Sequence, residues 1–317
     1  LNQTSGLSRQ TGIELIVEQG DADLEETVRS LASAELNRPV GERFEYSNAN
    51  YAVLSLVVQE VSGLPFGDYL REHIFAPLGM ASATTSLAEA EDRNLTDVHR
   101  YWFGWPVRSG LSELPGHEPA FVSVEDMATY VTMYLNDGRH GDRQIVSPES
   151  IREMLAPATD EVSRTLLGTE FTYQYGMGWF AGPFGGVEDA RWHLGELPTF
   201  NAWMVLEPEQ DRAVVVLTNA GSQMPWPGAN EVMSRIPIGV VNLLDGEAPP
   251  EGMSLSRFYL VFDLVAVAIV GLQVAALARL ALRPLAGRAI AVPLLWEVML
   301  VAGILIGVPA LTGMSWP

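Results

Sequence analysis

Gly41-Glu42-Arg43-Phe44-Glu45-Tyr46-Ser47-Asn48-Ala49-Asn50-Tyr51 decides how this chain is read. Tyr46 and Asn48 stand one residue apart at the mouth of a helix, so both side chains can point into one cleft. A phenol placed there can move a proton while an amide holds a substrate carbonyl. The helix is expected to begin at Ser47, to carry Tyr51, Leu54, Val57, Val58 and Val61 on one stripe, and to stop at Gly63-Leu64-Pro65. Taken alone, the stretch also suits a hydrophobic staple, with Tyr46 ahead of an N-capping Ser47 and Asn48 in the first turn.

Around it the chain alternates mixed elements. Leu24–Ala34 has helical spacing behind Asp23 as a cap, and a shorter helix is expected over Phe66–Phe75. Ser123 opens a helix that runs through Leu135, and Ser147-Pro148 opens another over Glu149–Leu155, each as cap followed by an acidic or proline-led first turn. Phe200–Leu206 and Arg212–Asn219 flank the turn Glu207–Asp211 as a hairpin, with Tyr175–Phe180 and Ala190–Leu194 as partner strands. The aromatic run Tyr101-Trp102-Phe103-Gly104-Trp105 reads as core or lid packing, with a cleft wall as the other option.

The 317 residues contain no cysteine and no lysine; all 19 basic residues are arginine. Residues 1–257 hold 16 arginines against 37 acidic residues, a net of −21. Such a surface repels phosphate backbones and excludes nucleic acid as a partner. Neither Gly-x-Ser-x-Gly nor His-Glu-x-x-His occurs, and His73, His99, His117 and His140 lack metal-ligand spacing. No cofactor or metal is expected.

Beyond residue 257 the composition changes. Residues 258–278 carry one charge, Asp263, and residues 289–311 form a second apolar run interrupted by Pro293, Glu297 and Pro309. A helix of about 20 residues covers the ~30 Å hydrocarbon core. The expectation is therefore a membrane domain over 258–311 with two transmembrane helices and the lipid bilayer as partner, the second run being a re-entrant or buried helix in the alternative. Arg279, Arg283 and Arg288 in the connecting loop place that loop in the cytoplasm and residues 1–257 on the extracytoplasmic side of the cell membrane.

The order of the motifs resembles the serine β-lactamase and DD-peptidase superfamily, in its class C-like, β-lactamase-related branch. Thr4-Ser5-Gly6-Leu7 is similar to the segment after the nucleophile helix, with Gln3 where the family usually has His. Gly41–Tyr51 resembles the Tyr-x-Asn motif; Val61-Ser62-Gly63, Pro77–Met80 and the run from Asn136 through Ser150 follow in order. His193-Leu194-Gly195 stands where the third motif belongs. The resemblance covers roughly residues 1–245. It implies an α+β fold, an antiparallel sheet flanked by helices plus a helical subdomain, over a hydrolase domain 1–250.

It also implies a mechanism. A serine attacks an amide or ester carbonyl and forms an acyl-enzyme, on a small-molecule or peptide substrate. Tyr46 would move the proton, Asn48 would hold the substrate amide, and His193 would offer hydrogen bonds or a titratable positive charge. Gly195 would let substrate approach, and the Glu196 backbone N–H would complete an oxyanion hole. The family's nucleophile lies in Ser-x-x-Lys, which a lysine-free chain cannot supply. Ser254–Arg257 is a Ser-x-x-Arg, and a guanidinium cannot serve as the base. Either the chain is a fragment that begins after the nucleophile segment, inactive by itself, or it is a non-catalytic sensing or binding relative. A third option makes the helices the working part, with residues 1–257 as an accessory domain.

Overall fold

A computed structural model describes residues 1–18, 23–102, 104–110, 120–166, 169–197, 199–221, 228–252 and 255–281. The helices are α1 (Arg9–Glu18), α2 (Leu24–Ser30), α3 (Asn48–Ser62), α4 (Phe66–Leu70), α5 (Ala76–Leu78), α6 (Leu87–Asp92), α7 (Val124–Leu135), α8 (Pro148–Leu155), α9 (Gly228–Leu244) and α10 (Leu255–Ala281). A hairpin of β1 (Val98–Trp102) and β2 (Trp105–Ser109) and a two-residue pair, β3 (Arg139–His140) with β4 (Arg143–Gln144), lie among them. The main sheet consists of β5 (Val162–Leu166), β6 (Thr169–Tyr175), β7 (Phe180–Phe184), β8 (Val187–Glu196), β9 (Asn201–Glu207) and β10 (Arg212–Thr218). Its order is β10-β9-β8-β7-β6-β5, antiparallel throughout, while β11 (Ala220–Gly221) joins β1 and β2 in a separate sheet.

The alternation along β8 and β9 gives the sheet two apolar faces. Trp192, Val205 and Val214 pack with Phe184, Ala190 and Val241 of α9 on one side. Leu206 joins Trp179, Val131, Met133 and Tyr134 of α7 and Ile151 of α8 on the other. Each buried large aromatic contributes roughly 2–3 kcal/mol of transfer free energy, so these two layers carry the domain.

Local signals formed as the chemistry of caps requires. The Asp23 carboxylate accepts from Glu26 N–H at 2.8 Å, Ser123 Oγ from Asp126 N–H at 3.1 Å, and Ser147 Oγ from Ser150 N–H at 3.1 Å. Gly63 ends α3 in the left-handed conformation at φ 71°.

Five expectations need correction. Residues 24–34 are α-helical only to Ser30 and then tighten into a 3₁₀ turn over Leu31–Ser33. Over 66–75 the α-helix ends at Leu70 and widens into a π turn, Arg71–Phe75. Tyr175–Phe180 is no strand: it is the tight β6–β7 turn, in which Tyr175 and Phe180 are cross-strand partners and Gly178 takes φ 86°. The apolar stripe of α3 is covered unevenly. Ala49 and Ala52 pack with Leu24, Val28, Leu56 and Phe66, and Leu54 and Val58 are half-buried, whereas Val57 and Val61 are exposed. In the run at 101–105, Tyr101 and Trp102 end β1 and Trp105 opens β2, with Trp105 in solvent rather than in the core.

Helix α10 is long and apolar enough to cross a membrane by length and composition, with a mean hydropathy of 2.1 over Tyr259–Ala276. Residues 258–278, expected as the first span, lie within this helix; residues 289–311, expected as the second, lie outside the described residues.

Candidate active site

Two walls face each other. The first is the entry to α3. Ser47 is the N-cap, extended at φ −142°, and the helix begins at Asn48; the Ser47 hydroxyl makes no capping bond. The turn is held instead by Gln3, which is 2% exposed and left-handed at φ 61°. Gln3 Oε1 accepts from the Ser47 N–H at 2.9 Å and from Asn50 Nδ2 at 2.5 Å, and Gln3 O accepts from the Glu45 N–H at 2.9 Å. One buried amide from a distant segment thus fixes both sides of the Tyr46–Asn48 step. Helix α1 crosses so closely that a Cβ on Gly12 would lie 2.7 Å from Asn48 N.

The second wall is the C-terminal half of β8, which pairs with β9 and runs past the end of the β7 ladder at Trp192. His193 and Gly195 share one side of the strand by its two-residue period. His193 pairs with Met204 and Gly195 with Ala202. Gly195 is open: an added Cβ would meet only Ala202 Cβ, at 3.7 Å. Glu196 pairs in register with Asn201 and its side chain is exposed.

The rings close the space between. The Tyr46 ring centroid lies 6.1 Å from His193 and 6.3 Å from Tyr175. Tyr175, fully buried, places its hydroxyl 3.4 Å from His193 Nε2 and 3.1 Å from the Tyr51 hydroxyl. Asn48, on the first turn of α3, makes no side-chain hydrogen bond to the described residues, so its amide is open to a ligand. A cleft of about 510 Å³ opens on the other side of Tyr46, between Arg9, Arg43 and the Asp160–Ser163 edge.

Electrostatics set the protonation states. Burial pushes the His193 pKa down to about 4, so the imidazole is neutral at neutral pH and serves only as a hydrogen-bonding group. Burial also raises the Tyr46 phenol, the Tyr51 ring adds to the rise, and the Arg9 guanidinium opposes it. Tyr175 is pushed well above the ordinary phenol, first by burial and then by Tyr51. Tyr46 is therefore a neutral phenol here, and acting as a base requires a further positive charge beside it.

Tyr46 and His193 are thus brought together, with Asn48 and Gly195 on the flanking positions of the same two elements. Sequence reasoning passed over Gln3, Tyr51 and Tyr175 as site residues. Tyr175 carried one readable signal, an aromatic set before glycines in Tyr175-Gly176-Met177-Gly178-Trp179.

A profile of the family described as Beta-lactamase matches residues 1–233. The chain belongs to the beta-lactamase family. Among curated relatives, "Protein flp" of Staphylococcus aureus strain MW2 is 27% identical over 224 residues, covering 70% of this chain and 43% of its own. The chain thus spans less than half the length of that relative. Of the solved structures, the octameric penicillin-binding protein homologue from Pyrococcus abyssi is 25% identical with a TM-score of 0.62, covering 78% of this chain and 55% of that one. The D-amino acid amidase from Ochrobactrum anthropi SV3, complexed with L-phenylalanine amide, shares the fold at 23% identity and a TM-score of 0.56, covering 77% and 70%. The β-lactamase-like α+β fold is that of a family of serine hydrolases.

Proposed function

We propose that this chain carries most of the active site of a membrane-tethered, class C-like serine hydrolase that acts through an acyl-enzyme on peptide, ester or β-lactam carbonyls. The observation that carries the reading is the approach of the Tyr46 ring to His193, 6.1 Å between centroids, with Asn48 and the side-chain-free Gly195 beside them on the two walls. Tyr46 is the proton-transfer residue, Asn48 orients the acyl group, and neutral His193 contributes a hydrogen bond. The strand around Gly195 and Glu196 offers backbone N–H groups for an oxyanion. The nucleophile and the cation that draws Tyr46 towards phenolate come as Ser-x-x-Lys from outside these 317 residues, since they hold no lysine. Helix α10 tethers the domain, and the arginines at 279, 283 and 288 favour an extracytoplasmic position for it.

The test uses the full-length protein in its membrane. A fluorescent penicillin or a serine-directed phosphonate should label it covalently, and Tyr46→Phe should slow acylation by about 10²–10⁴-fold. An unchanged rate removes Tyr46 from the mechanism. The lack of lysine also supports a second reading, a ligand-binding module without turnover; a full-length protein that binds the penicillin reversibly and is never acylated establishes it. Protease added from outside to cells or spheroplasts should cleave within residues 1–257, and protection there reverses the orientation.

A further inference from the structure

The hairpin β1–β2 has no part in the site just described, and its end touches the first turn of α10. The Tyr259 hydroxyl donates to Tyr101 O at 3.4 Å, and the two rings stack at 6.0 Å. A Cβ on Gly104, in the turn at φ 77°, would meet Tyr259 Cβ at 3.0 Å, so only glycine lets the hairpin end lie this close to the helix. Tyr259 is 2% exposed although it opens the most apolar stretch of the chain. Hairpin and helix are thus joined at the level where that stretch begins.

On the outer side of this joint, β2 is an edge strand whose Trp105, Pro106 and Val107 are all in solvent. Trp105 is 75% exposed and Val107 45%. An indole standing free on an edge strand is unusual in a domain of net −21, whose other aromatics, where their burial is described, are buried or half-buried. Arg108, paired to Asp97 at 2.5 Å, follows three residues after Trp105. An apolar tip, two tyrosines at the start of an apolar helix and a cation one step outward is the order of groups met on leaving a bilayer, where Trp and Tyr favour the headgroup level.

We infer that the β1–β2 hairpin is a bilayer-contacting element: its end rests in the headgroup layer beside the start of α10, with Trp105 and Val107 at the boundary with the acyl chains. The inference rests on the reading of α10 as a membrane span. It turns a flexible tether into a two-point mount: the helix fixes lateral position, and the hairpin fixes the height and tilt of the domain over the lipid.

The absence of cysteine from these 317 residues makes the test direct. Single cysteines are placed by Trp105→Cys, Val107→Cys, Val267→Cys within α10, and Glu209→Cys in the β9–β10 turn, about 20 Å along β10 from Thr218, after which β11 pairs with β1. All four positions are exposed, so each variant should fold. The full chain is labelled with an environment-sensitive fluorophore and reconstituted in phosphatidylcholine nanodiscs containing lipids with a nitroxide at the headgroup or deep in the chain. The expected result is strong quenching at 105 and 107 by the headgroup nitroxide, quenching at 267 by the deep one, and none at 209. Loss of quenching at 267 overturns the membrane span itself. Quenching at 267 with 105 and 107 as wet as 209 leaves the span and overturns the hairpin contact. A blue-shifted but unquenched label at 105 also overturns it, because the strand is then covered by protein.

Discussion

The two walls of the cleft are built on different principles. The β8 wall lies on a strand of the main sheet, and from His193 to Glu196 its position is set by a backbone ladder to β9 that does not depend on which side chains it carries. The α3 wall hangs on side chains: Gln3 ties Ser47 and Asn50, and Glu45 gathers the Arg9 N–H at 2.8 Å, Asn37 Nδ2 at 3.0 Å and the Arg38 guanidinium. Burial raises the Glu45 carboxyl, but these donors and the nearby arginine charges together hold it below its ordinary range. The helix wall should therefore be sensitive to single substitutions that the strand wall tolerates.

The largest stability effect should come from Gln3→Ala, which leaves two buried donors without an acceptor. About 2–4 kcal/mol is expected from the cost of unpaired buried polar groups, read as a lower urea midpoint with an unchanged m-value. Gln3→His, which keeps one acceptor nitrogen, should recover part of it. Equal loss in both variants would mean that volume, rather than the hydrogen bonds to Ser47 and Asn50, holds the turn.

Next comes the pH dependence contributed by His193. Its folded pKa of about 4 lies below the ordinary 6.5, so as pH falls the unfolded chain takes up the proton first. The stability contributed by neutral His193 is whole above pH 6.5 and is lost as pH falls from 6.5 towards 4. His193→Gln should flatten that part of the curve, seen as a smaller difference in urea midpoint between pH 7 and pH 5 than in the unaltered protein. An identical difference would show that His193 titrates normally and is solvated.

Tyr175→Phe removes one hydroxyl shared by Tyr51 and His193, and should cost about 1 kcal/mol. The smallest effect belongs to the strand wall. Gly195→Ala should change stability by no more than about 0.5 kcal/mol, because the new methyl meets only Ala202, while slowing acylation of the full-length protein by narrowing the approach. If it destabilises as much as Gln3→Ala, the contrast between the walls fails.

What was legible in the sequence was local. Asp23, Ser123 and Ser147 cap their helices because a short polar side chain meets N–H groups two or three residues away, whatever surrounds it. The β9–β10 hairpin followed from its strand–turn–strand pattern, and the Tyr-x-Asn stretch with His193-Leu194-Gly195 pointed to the family that residues 1–233 match. The α3 stripe was misread because spacing says which residues share a face and not what covers it. Tyr175–Phe180 looked like a strand because its aromatics do sit in strands, one at each end of a turn.

By itself, then, the sequence determined the cap positions, the apolar run that became α10 and the family. Only the tertiary structure decided that Gln3 holds the Tyr46 turn, that Tyr175 bridges Tyr51 and His193, and that His193 is neutral. The physical reason is that hydrogen-bond partners 44 or 124 residues apart, and the desolvation of a ring, come into being only when the segments are packed together.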